Sequence, residues 1–148
     1  MEGFVGKTGA KVHVLRLDPG DLLLESIQEY IAKEKIKDGV VVSGIGTLSD
    51  CVMHMVMTTA FSPYVEHVER WVDTPLEVSA LSGMIANGVE HLHMVVSDHK
   101  VAFSGHVEPG CRILYVGEVV IQEFEDMGIG RKVNEHGYTM LRKLETNE

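Results

Sequence analysis

Hydrophobic and polar positions alternate along most of this chain, and the period changes clearly in one place only. Val12-His13-Val14-Leu15-Arg16-Leu17 alternates and is rich in β-branched residues, which predicts a first strand stopped by Asp18-Pro19-Gly20. After it, Leu23, Leu24, Ile27, Tyr30 and Ile31 fall on one stripe at helical period. A helix is predicted there, with Asp18 as N-cap, Pro19 at its first position and Lys37-Asp38-Gly39 as its end. Val40-Val41-Val42 reads as a short buried strand, and Cys51 to Met57 as another. Residues 64–71 fit strand or helix equally well. Leu76 to Ile85 reads as a strand with a break at Gly83, and two strands flank Ser97-Asp98-His99-Lys100 beyond Asn87-Gly88. Arg112 to Ile121 is a further β-rich run, whereas the segment from Phe124 to Glu148 is polar, has no period and reads as an irregular or peripheral tail. No repeat or linker interrupts residues 1–148. The pattern predicts a single α+β domain with a mainly antiparallel central sheet and one long helix after the first strand.

Two glycines in Ser43-Gly44-Ile45-Gly46-Thr47 invite comparison with a dinucleotide-binding loop. Ser49 stands where the third glycine belongs, and a strand-like run follows instead of a helix, so the pair reads as a bend or bulge.

The densest chemistry lies in His91-Leu92-His93 and Ser104-Gly105-His106. Residues i and i+2 of a strand share a face, so His91 and His93 point the same way. A hairpin centred between Asp98 and His99 pairs His91 with His106 and Leu92 with Gly105. That register puts Leu92, Met94, Val96, Val101 and Phe103 on one face and His91, His93, Ser104 and His106 on the other. Three imidazoles on one face form a candidate metal site with an open fourth position, zinc being the leading ion. His13, His54, His67, His99 and His136 lack a partner at useful spacing and read as core or surface residues. Glu118, a carboxylate within the apolar run Gly117-Glu118-Val119-Val120, is the candidate catalytic group, facing the metal or pairing with Arg16, with a plain edge-strand position an equal alternative.

Composition narrows the classes. The net charge is −9, and 45% of the 148 residues are hydrophobic. An acidic chain whose few basic clusters are interrupted by glutamate is a poor unaided DNA binder, because phosphate affinity depends on clustered Lys and Arg. No apolar run is long enough for a membrane span, and the N-terminal stretch lacks a secretory pattern, which points to the cytoplasm. Cys51 and Cys111 belong to no paired motif and read as reduced, partly buried thiols.

Taken in order, Leu15-Arg16-Leu17-Asp18-Pro19-Gly20-Asp21-Leu22, Ser43-Gly44-Ile45-Gly46, Leu76 to Gly83, the two histidine segments and Gly117-Glu118-Val119-Val120 resemble the PPC ("plants and prokaryotes conserved") domain family over nearly the whole chain. The resemblance implies a central antiparallel sheet, a homotrimer and, as in prokaryotic members, a divalent metal on His91, His93 and His106. Such proteins are often described as DNA-binding because plant members carry AT-hooks ahead of the domain. This sequence shows no AT-hook, and Ser104-Gly105-His106 replaces the usual Gly-Gly-His. The fold is also similar to that of acetolactate decarboxylase, a zinc enzyme with a His-x-His and a later His. The expected functions are therefore a trimeric metal-binding protein with a regulatory or ligand-binding role, a metal-dependent lyase or hydrolase acting on an unidentified small molecule, a DNA-associated protein, which the net charge disfavours, or a trimeric interaction module without metal.

Overall fold

The alternating runs become strands in a computed structural model, which describes residues 3, 5, 7–61 and 65–144. In chain order the elements are β1 (Lys7–Leu17), α1 (Leu23–Glu34), β2 (Gly39–Val56), β3 (Glu66–Trp71), β4 (Leu76–Ala86), β5 (Val89–Ser97), β6 (Ala102–Val107), β7 (Arg112–Glu125), β8 (Ile129–Val133) and β9 (Thr139–Lys143). The main sheet runs β1-β7-β2-β4-β5-β6, with β3 paired to β2. Strand β6 also returns to β2, so β2, β4, β5 and β6 close on themselves. The pairings are antiparallel, as the patterning predicts. The two runs around the glycine pair are one strand of 18 residues, with register shifts beside Val41 and Gly46.

The helix is shorter than expected. It has 12 residues, about 18 Å of axis, and its N-cap is Leu22 with no side-chain cap bond. Asp18 does not cap it. Residues Asp18 to Asp21 form a turn instead, in which Asp21 donates to the Asp18 carbonyl and the Asp18 N–H donates to Asp21 Oδ2 at 2.8 Å. Left-handed Lys35 (φ 57°) ends the helix, and Leu23, Leu24, Ile27 and Ile31 are buried on its inner stripe. They join Leu15, Leu17, Val41, Ile85 and Ile121 in one core. In β1 the alternation is inverted at its start: Val12 and Val14 are exposed, while buried His13 bonds the Tyr30 hydroxyl at 3.0 Å and Glu123 at 2.8 Å.

Residues 66–71 are strand, which resolves the helix-or-strand ambiguity; Tyr64 lies outside the described residues. Gly83 does not break β4. It sits opposite Leu92, and a Cβ there would lie 2.0 Å from the His91 carbonyl oxygen, so glycine lets β5 approach closely. Asn87 and Gly88, both at positive φ, make the tight turn from β4 to β5. The polar C-terminal segment is not irregular: β7 extends to Glu125, and β8 and β9 form a separate two-stranded hairpin.

Candidate metal centre

The β5–β6 hairpin carries the predicted histidines, in a register two residues from the expected one. His106 lies opposite His93, not His91, and Gly105 lies opposite Met94. The loop is four residues long, Asp98 to Val101, because Asp98 closes it: its N–H donates to the Val101 carbonyl, and its Oδ1 accepts from Lys100 and Val101. Val101 is therefore an exposed loop residue. A two-residue error keeps every side chain on its own face. Leu92, Met94, Val96 and Val107 are accordingly buried, and His91 and His93 face outward.

The three rings come together. Their centroids are 5.2 Å apart for His91–His93, 4.9 Å for His91–His106 and 5.4 Å for His93–His106. His91 Nε2 and His93 Nε2 are 3.2 Å apart. The two are hydrogen-bonded in this structure; two nitrogens on one tetrahedral zinc, each bonded at ~2.0–2.1 Å, are separated by ~3.3 Å, so the same spacing also suits a ligand pair. Burial, then Arg131 and the neighbouring histidines, holds His91 below the ordinary imidazole value. Burial, then His106 and His54, does the same for His93. A lowered value favours the neutral ring, whose lone pair a cation needs.

Two residues that the sequence reading set aside or missed complete the cluster. His54, on β2, pairs with His106 on β6 and stacks on its ring at 4.5 Å. One oxygen of Glu108 accepts from His54 Nδ1 at 2.6 Å and from His106 Nδ1 at 3.2 Å. A carboxylate that takes Nδ1–H directs Nε2 away from itself, the arrangement by which an outer carboxylate orients a metal-binding histidine. His54, His106 and Glu108 are also the group, among the described residues, whose donor atoms all lie within 4.8 Å of one another. That tight group is one histidine of the predicted trio with two new partners, and His106 belongs to both sets. Glu108 was legible as the residue two beyond His106, just past the end of β6; His54 was not, because its pairing to β6 joins distant parts of the chain.

Gly105 makes the juxtaposition sterically feasible. A Cβ at this position would stand 2.8 Å from the His54 carbonyl oxygen and 3.1 Å from Met53 Cβ, so only glycine lets β6 lie this close to β2. Glu118 is elsewhere. It is exposed on β7 between Arg16 and Ile45, does not line the histidine cleft, and faces an Arg16 that pairs with Asp18 at 2.9 Å. Cys51 and Cys111 are free and buried, and the hydrogen bond with Cys111, then burial, pushes the Cys51 thiol up. A cleft of about 710 Å³ opens over the histidines, walled on its other side by Arg131, His136 and Tyr138 from the β8–β9 hairpin.

An antiparallel sheet thus presents an outward histidine cluster, in which His54, His106 and Glu108 form a group that could hold a metal ion. Residues 5–125 match the model of the Plants and Prokaryotes Conserved (PCC) domain, and the chain belongs to that family. The fold is similar to that of a metal-containing protein from Archaeoglobus fulgidus, at 23% identity and a TM-score of 0.80 over 97% of this chain and 100% of that one. It is likewise similar to a plant- and prokaryote-conserved (PPC) protein from Pyrococcus horikoshii, at 22% identity and a TM-score of 0.79 over 98% and 99%. Over 123 residues the chain is 28% identical to the bifunctional protein GlmU of Synechococcus sp., covering 82% of this chain and 18% of that protein. The chain thus spans less than a fifth of the length of the curated relatives it matches. No helix among the described residues is long and apolar enough to cross a membrane.

Proposed function

We propose that this PPC-domain protein binds one divalent ion, zinc first among the candidates, through Nε2 of His91, His93 and His106, with a coordination position left open to a small ligand. The observation that carries the reading is the 3.2 Å separation of His91 Nε2 and His93 Nε2. Glu108 is then an orienting carboxylate behind His106, and His54 the stacked ring that shares it. The metal-containing relative from Archaeoglobus fulgidus supports metal binding. A homotrimer is part of the proposal: exposed Val12, Val14, Val42 and Ile45 leave apolar sheet surface for a copy of the chain to cover. The acidic balance favours a ligand-binding or regulatory role over direct DNA contact.

Elemental analysis of untagged protein tests the reading. About one ion per chain is expected in the wild type and none in His91→Ala, His93→Ala or His106→Ala, each still folded. A folded wild type that neither carries nor takes up a divalent ion contradicts it. A metal-dependent lyase or hydrolase is the second reading, favoured by the carboxylates Glu66 and Glu90 that line the cleft. Loss of zinc-dependent turnover in Glu66→Gln or Glu90→Gln, with metal content unchanged, would establish that chemistry.

A further inference from the structure

The wall of the cleft opposite the histidines is built by the β8–β9 hairpin, which lies beyond the family-matched residues 5–125. This hairpin is fastened at both ends. At its base Ile129 is buried and its N–H donates to Asp38 Oδ2 at 3.4 Å, while Asp38 Oδ1 takes the Asn87 N–H at 3.0 Å. At its tip the Tyr138 hydroxyl donates to the Phe61 carbonyl, and the His136 ring lies 5.8 Å from that of Phe61. Arg131 lines the cleft between these fastenings.

Arg131 is half-buried, and its Nε is fully buried with no hydrogen-bond partner among the described residues. The acid that acts on it, Glu90, has Oε1 already engaged by Gln28 Nε2 at 2.7 Å. A buried N–H left without a partner is unfavourable, and a guanidinium is shaped to receive a carboxylate on two parallel N–H groups. The rings of His91, His93 and His106 line the same cleft. We propose that Arg131 is the recognition group for a small carboxylate, which reaches the metal at His91, His93 and His106 with its second oxygen donor. The inference deepens the metal reading and rests on it for that second contact only. Tyr138, committed to Phe61, is a wall and not a donor. Glu66 and Glu90 at the cleft disfavour a doubly charged phosphate and leave a singly charged carboxylate as the fitting ligand.

Calorimetric titration of untagged protein, zinc-loaded and metal-free, with glycolate, acetate and inorganic phosphate is the test. Zinc-loaded wild type should bind glycolate saturably and more tightly than acetate. Arg131→Gln should weaken glycolate at least tenfold with zinc content unchanged, and Arg131→Lys should recover part of the loss. If Arg131→Gln does not fold, Arg131→Lys carries the comparison, with weaker glycolate binding at an unchanged melting temperature. Equal carboxylate affinity in wild type and variant, no saturable heat from either carboxylate, or binding of phosphate alone overturns the inference. Zinc content of the same samples judges the metal reading separately: protein without zinc that still binds carboxylate through Arg131 upholds this inference while the metal reading fails.

Discussion

The β5–β6 hairpin and the seam between β2 and β6 contribute to one cluster by different routes. The hairpin is local: His91, His93 and His106 lie on two strands joined by a four-residue loop, and strand period alone puts them on one face. The seam is non-local, since His54 meets His106 only because β6, after leaving β5, turns back onto the far half of β2. In the proposed centre the hairpin supplies donors, and Glu108 orients a ring from each region. Donor identity is thus encoded in a short segment, whereas donor orientation depends on how the sheet closes.

Variants can break that division. The largest effect is expected at His106, the residue shared by the hairpin trio and the tight group with His54 and Glu108. His106→Ala should lower metal affinity by more than about a hundredfold, beyond what loss of an outer partner produces, as read by competition with a chromophoric chelator. Glu108→Gln should weaken affinity by about 10–100-fold and keep the stoichiometry, as an orienting carboxylate does. A complete loss equal to that of His106→Ala would make Glu108 a ligand and erase the distinction between donors and orienters.

The contrast also explains what was legible in the sequence. Alternation marked most of the main-sheet strands though not β3 or the β8–β9 hairpin, and it put His91, His93 and His106 on one face even though the hairpin register was two residues off, because an even slip preserves facing. The loop length depended on Asp98 capturing two backbone N–H groups, which composition does not announce. Asp18 reads as an N-cap, yet its carbonyl closes a turn with Asp21 and delays the helix. The seam partner His54 and the cleft residue Arg131 were hidden for a common reason. Each reaches the site through a contact between distant segments, one across β2 and β6 and the other through a hairpin docked on Asp38.

Smaller effects sharpen the picture. Gly105→Ala should destabilise the protein by about 1–3 kcal/mol, the usual cost of overpacking, because its Cβ would press on the His54 carbonyl oxygen. Chemical denaturation should show that loss together with weaker metal binding. In the metal-free protein, the depressed values of His91 and His93 mean that the unfolded chain takes up protons first as pH falls. Stability should therefore decline below pH about 6.5, the ordinary imidazole value, and be independent of these rings above it; melting curves of His91→Ala should show a shallower decline. The smallest expected effect is on duplex DNA, which should show no retardation at low salt given a net charge of −9.

The most direct test of the central claim is anomalous diffraction at the zinc edge from crystals of zinc-loaded, untagged protein. The account predicts one peak per chain, within about 2.1 Å of Nε2 of His91, His93 and His106, and no bond from the ion to Glu108. A peak bonded to His54, His106 and a Glu108 oxygen, with His91 and His93 beyond coordination distance, or the absence of any peak from the cluster, would contradict it.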